Sequence, residues 1–140
     1  HAQVEVGFMN IFGPGVTFEG LGEPESSKLK RLCRVGDKCV IGAGVHLSAG
    51  SGFRIGDRCV IGAGTTVRGR LEMDAQSVIG ENCVFRHGSV IVLCRGSLLG
   101  SYSGVAASRV EIESGASLPN DTDIARGLNM LVTKHGRVLL

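Results

Sequence analysis

The sequence predicts an all-β chain wound as a parallel β-helix, a triangular prism of stacked coils with short strands on its faces. An aliphatic residue returns every sixth position through Val35, Ile41 and Leu47, and again through Ile55, Ile61 and Val67. Glycine follows it at Gly36, Gly42, Gly56 and Gly62, and a small residue stands four places after it at Cys39, Val45, Cys59 and Thr65. The composition agrees: 43% hydrophobic but 4% aromatic, with 22 glycines, suits a narrow stacked core with many bends. A period of six is neither helical nor simple strand alternation. It is one face and one corner of a solenoid coil.

Each hexad reads as a short extended run and a bend. The aliphatic side chain points inward and fills the prism. Glycine serves the corner, where a Cβ would clash or φ must be positive. The inward residue near the corner must be small. Three hexads close one turn, and the next turn stacks on it at about 4.8 Å. Cys39 is therefore predicted under Cys59, and Ile41 under Ile61.

Taken in order, Val6, Phe12 and Phe18 are six apart and predict a first coil with unusually large residues inside an end turn. The register lapses over 19–34, where Gly, Pro, Ser and charges cluster, and this stretch reads as a loop. The twin phrases from Val35 and Ile55 are coils two and three, with two extra residues at a corner within Ala49–Arg54. Residues 68–78 read as a second protruding loop. Coil four resumes at Ile79 with Cys83, Phe85 and Ile91, and coil five runs from Leu99 to Val105. A hexad displaced by one residue follows at Ile112, and Leu118 and Ile124 start a partial sixth. The chain is thus expected to be one domain over 1–140, with about five to six coils between about 6 and 127. The tail, 128–140, reads as an extended strand or loose hairpin that caps the unpaired backbone of the last coil. On the outside, Asp37, Asp57 and Glu81 are expected in one column, and Lys38, Arg58 and Asn82 in the next.

A net charge of +2 gives no reason to expect nucleic acid or membrane as a partner. No apolar run approaches the ~20 residues that span a bilayer, and no secretory signal is visible. The opening residue His1 reads as the result of trimming or as a tag remnant. Five cysteines without CxxC spacing argue against a disulfide framework or a zinc site. They read as small buried filler in a reducing compartment. No metal and no cofactor are expected.

The hexads resemble those of hexapeptide-repeat proteins, a likeness that implies a left-handed coil, against the usual right-handed crossover. Such proteins include acyltransferases, γ-class carbonic anhydrases and non-catalytic assembly subunits, and fold alone does not choose among them. The anhydrase pattern holds zinc by three histidines from two neighbours. Here only His46 and His87 lie in the coils, two turns or about 10 Å apart. The paired-histidine and Arg-Gly-Asp motifs of that class are missing, so a γ-anhydrase-like protein is the least favoured reading. The acyltransferase pattern needs a histidine base near the acceptor group. His46, outward at the end of a hexad, is the first candidate, and His87, in a turn, is the second. His135 lies in the tail. This alternative implies an acyl-CoA substrate and a homotrimer.

The run from Val35 to Ile61 is more closely similar to the second and third coils of the small β-helical subunits of dynactin's pointed-end complex, the p27 type in particular. Val78-Ile-Gly-Glu-Asn-Cys-Val-Phe-Arg-His-Gly88 resembles the next coil of that family. Leu98-Leu-Gly, Ile112-Glu-Ser-Gly-Ala and Leu118-Pro-Asn-Asp-Thr-Asp-Ile-Ala-Arg-Gly127 resemble its closing coils. The likeness covers roughly 33–127. The chain departs from the family in being short, in lacking a C-terminal helix and in its long loop at 19–34. The resemblance implies a non-enzymatic, cytoplasmic assembly subunit without catalytic residues. Its partners would be a sister β-helix and the end of an actin-related filament, in the service of attaching cargo to a motor.

Overall fold

In the computed structural model, residues 4–19, 33–48, 52–124, 129–135 and 138–139 are described. Six coils of three strands each run through them. Coil one holds Val4–Val6 (β1), Ile11–Phe12 (β2) and Thr17–Glu19 (β3), and coil two Cys33–Val35 (β4), Val40–Ile41 (β5) and His46–Ser48 (β6). Coil three is Phe53–Ile55 (β7), Val60–Ile61 (β8) and Thr66–Val67 (β9). Coil four is Arg70–Met73 (β10), Val78–Ile79 (β11) and Val84–Phe85 (β12), and coil five Val90–Leu93 (β13), Leu98–Leu99 (β14) and Gly104–Val105 (β15). Coil six is Arg109–Ile112 (β16), Ser117–Leu118 (β17) and Asp123–Ile124 (β18). Asn129–Val132 (β19) then adds one more strand to the first face, and Val138–Leu139 (β20) turns back on it antiparallel.

Three sheets result. The first face stacks β1, β4, β7, β10, β13, β16 and β19 and ends on β20; the second runs from β2 to β17; the third runs from β3 to β18. Every pairing between coils is parallel, and equivalent residues stack: Ile41 lies against Ile61, Ile61 against Ile79 and Ile79 against Leu99. The inward hexad residues of coils two to six are buried, as are Cys33, Phe53, Leu71, Ile91 and Val110, which give the first face a second inward row. Fully burying one such aliphatic is worth about 1.5–3 kcal/mol. The Phe18 ring stacks on Phe53, with centroids 5.5 Å apart.

The register explains where hexad spacing holds and where it breaks. From the first face to the second, and from the second to the third, equivalent residues are always six apart, as in Glu72, Val78 and Val84. The third corner, which returns the chain to the first face, varies in length. Within coil six it has taken up the extra residue that displaces Ile112, and Ile112 still pairs in register with Leu93.

Two expectations about loops need correction. Residues 68–78 do not protrude: Arg70–Met73 pairs with both β7 and β13, and Leu71 and Met73 are buried. Val67, Met73, Ile79 and Phe85 are in fact an unbroken sixfold series, disguised by charges on the outward side of β10. Of 19–34, Glu19 and Cys33–Arg34 belong to strands, and 20–32 lie outside the described residues. The two extra residues within Ala49–Arg54 are present, since Leu47 and Ile55 stand eight apart where the stacked Val67 and Met73 stand six; Phe53 and Arg54 of that stretch belong to β7, and 49–51 lie outside the described set. In the tail, β19 and β20 form a hairpin.

The corners are ordered by side chains reaching between coils. Asp37 Oδ1 accepts from the Phe8 amide at 2.8 Å, and Asp57 Oδ1 from the Asp37 amide at 2.8 Å. Lys38, Arg58 and Gln76 stack in left-handed backbone, with φ of 57°, 56° and 63°. Glu81 and Asn82 stand on the second corner, not above Asp57 and Arg58 on the first. The residues stacked on Asp57 and Arg58 are Ala75 and Gln76, because strand β10 comes between.

The ends differ. Val6 and Phe12 point toward the axis of coil one yet are 47% and 37% exposed, because among the described residues no coil lies on its far side. At the other end Leu118 and Ile124 are buried.

One core hydroxyl is unmatched. Ser97 Oγ is buried with no hydrogen-bond partner among the described residues, whereas the equivalent Ser77 Oγ donates to Asp74 O at 2.7 Å. The next coil already carries Ala116 at this position. Ser97→Ala is therefore expected to raise stability by about 1 kcal/mol, read as a higher urea midpoint at unchanged slope.

Candidate functional site

The three faces present different chemistry outward. On the first face, Glu5, Arg34, Arg54, Glu72, Val92 and Glu111 stack in one charged column. On the third, Thr17, His46, Thr66, Val84, Gly104 and Asp123 form a mostly polar column. The second face is different. Ile11, Val40, Val60, Val78 and Leu98 stack in register and make an apolar ladder across five coils. Ile11, Val40 and Leu98 are 63%, 39% and 40% exposed. Beside the ladder run Gly13, Gly42, Gly62, Gly80 and Gly100, whose lack of side chains leaves the face flat. The signal for this ladder is in the sequence. An aliphatic residue directly precedes the inward one at Ile11-Phe12, Val40-Ile41, Val60-Ile61, Val78-Ile79 and Leu98-Leu99.

The candidate histidines do not converge. His46 stands half-buried in β6, between Thr17 and Thr66, and its Nδ1 meets the Thr17 hydroxyl, which fixes the ring. His87 is exposed in the third corner of coil four, and His135 is exposed in the turn after β19. Among the described residues, no three His, Cys, Asp or Glu side chains gather at metal-holding distance.

Four of the cysteines, Cys33, Cys39, Cys59 and Cys83, are buried in the prism, whereas Cys94 stands half-buried at the place stacked on Asp74, not inside as filler. Cys39 and Cys59 stack in the first corner, with their thiols donating to Gly56 O at 3.0 Å and Asp74 O at 3.1 Å. Cys83 sits in the second corner and donates to Gly100 O at 3.2 Å. Burial pushes the thiols of Cys33, Cys39 and Cys83 above their ordinary range, which keeps them neutral and weakly nucleophilic. The Cys94 thiol is also raised, first by desolvation and then by the carboxylates of Glu111, Asp74 and Glu113. Among the described residues, no helix is long and apolar enough to cross a membrane.

A family model described as the hexapeptide repeat of succinyl-transferase matches residues 34–68, which are coils two and three. No curated protein and no solved structure matches the chain. That repeat, wound into a three-faced parallel coil, supports a place for the chain in the hexapeptide-repeat left-handed β-helix superfamily.

Proposed function

We propose that the protein is a non-enzymatic assembly subunit that docks its second face against a sister β-helix. The apolar ladder from Ile11 to Leu98 supports this reading. It is flat and carried by a rigid sheet, so docking on it immobilises little that is not already ordered. The likeness of 33–127 to dynactin's pointed-end subunits gives the reading its setting: a cytoplasmic complex at the end of an actin-related filament that attaches cargo to a motor. The test is binding to purified β-helical subunits of that complex. Association at micromolar concentration or tighter is expected, with at least about a tenfold loss when Val40→Glu and Leu98→Glu are combined. Both side chains are partly exposed, so the variant is expected to keep its circular dichroism spectrum. Equal binding by variant and wild type would remove the face from the argument.

A second reading has one observation in its favour. The Thr17 hydroxyl holds the His46 ring in one orientation, as a general base requires. On this reading the protein is an acyl-CoA-dependent acyltransferase that works as a homotrimer. Sedimentation with and without coenzyme A separates the two. A monomer indifferent to coenzyme A favours the subunit, and a stable trimer that binds it favours the enzyme.

A further inference from the structure

The corners of the prism differ in charge. Over coils three to five the third corner carries Arg68, Arg86 and His87 and, among its described residues, no carboxylate; Arg70 and Arg109 open the strands β10 and β16 that leave it, and all five are exposed. The second corner carries Glu81 and Asp121 and, among its described residues, no lysine or arginine. The first corner mixes signs, with Asp37 and Asp57 beside Lys38 and Arg58. A net charge of +2 conceals this sorting.

Stacking arranges the arginines in two columns. The Arg68 amide donates to Phe85 O and the Arg86 amide to Val105 O, so the two occupy equivalent places one coil apart, about 4.8 Å. Arg70, Val90 and Arg109 are in register, which puts Arg70 and Arg109 two coils or about 10 Å apart. Arg70 meets Glu72, two residues on in the same strand, at 3.1 Å, a surface pair worth little and open to exchange. The cations are arginine rather than lysine. A guanidinium fork binds a carboxylate through two parallel hydrogen bonds, which a point charge does not.

We propose that this edge is a docking site for an acidic protein segment. Two features favour protein over nucleic acid. Glu72 and Glu111 border the edge on the first face and would repel a uniformly charged backbone, whereas a peptide can vary its charge to suit them. The described part of the edge also offers no exposed aromatic ring on which a base could stack. In a triangular prism the third corner lies opposite the second face. A subunit docked through its apolar ladder therefore turns the arginines outward, toward a second partner. The inference does not depend on that docking, because the edge exists on the isolated chain.

The experiment uses the whole chain and three labelled probes in fluorescence anisotropy: a peptide of alternating Glu and Ala, its Gln analogue, and a single-stranded oligothymidylate of equal charge. The Glu peptide is expected to bind and to weaken as salt rises, and the Gln analogue is expected not to bind. Arg68→Glu with Arg86→Glu should weaken the Glu peptide by at least about tenfold. Arg68→Lys with Arg86→Lys, which preserves charge and fold, should cause a smaller but measurable loss. Val40→Glu with Leu98→Glu should leave this binding unchanged, so the edge and the apolar ladder are judged separately. The proposal fails if the Glu peptide does not bind at low salt. It also fails if the oligothymidylate binds as well, or if neither arginine pair alters affinity.

Discussion

Ile61→Asp is expected to unfold the protein at neutral pH. Ile61 is fully buried in coil three and stacks between Ile41 and Ile79. Among the described residues no lysine or arginine is buried, and the hydroxyls and thiols of Thr65, Ser77, Cys59 and Cys83 in the same core already donate to backbone carbonyls, so no cation stands ready to pair with a carboxylate. A buried unpaired charge escapes part of its cost by taking up a proton, which still leaves an unsatisfied polar group in place of a packed side chain. A loss of about 4 kcal/mol or more follows, a large share of the roughly 5–15 kcal/mol of a typical domain. The new carboxyl would have a raised folded-state pKa, so its penalty deepens as pH climbs and is partly relieved in acid. Ile61→Val, which removes one methyl group, should cost only about 1 kcal/mol. Circular dichroism and urea titration of the pair decide the matter. An Asp variant that melts like wild type would refute the inward register of the whole rod.

Gly62→Ala is expected to cost about 3 kcal/mol, measured in the same way. A Cβ built on Gly62 would stand 2.5 Å from the Glu81 amide nitrogen and 2.5 Å from the Gly80 carbonyl carbon. Both are backbone atoms of the coil above and cannot swing aside. The two coils would have to part at the 2.8 Å bond from the Gly62 amide to Ile79 O. Gly44, in the same corner of coil two, provides the contrast. Its φ is +69°, and a Cβ there meets nothing within 4 Å. Gly44→Ala should cost only the left-handed conformation itself, about 1–2 kcal/mol. Gly44→Asn should cost less, since Asn82 already adopts φ 54° at the stacked position of coil four. Pro119 closes the column to which Gly62 belongs, and its ring is tolerated because, among the described residues, no strand of the second face lies beyond β17.

Coils two and three were legible because Val35, Ile41, Leu47, Ile55, Ile61 and Val67 obey two constraints at once, the sixfold return and the glycine that follows. Strand β10 was not legible. Met73 keeps the sixfold return, but Asp74 rather than glycine follows it, and Arg70 and Glu72 look like loop residues until their outward face is known. The expected column of Asp37, Asp57 and Glu81 breaks at Glu81 for the same reason. A period read along the chain says which residues stack only when every coil has been counted. The apolar ladder was hidden by the same counting. Val40, Val60 and Val78 each look like a second core residue, and only the pleat separates the inward neighbour from the outward one. The arginine edge could not be read at all, because Arg68, Arg86 and Arg109 meet through stacking rather than through nearness in the chain.

The third corner has a consequence for coil length. Two edges of the rod are fixed at six residues, since a single insertion there would throw strands out of phase with both neighbours. Differences in length between the coils of this chain fall only along the remaining seam, as the unequal spacing of stacked residues shows. That seam is also where Arg68 and Arg86 stand, so a change in its length would move these side chains while leaving the interior stack in register.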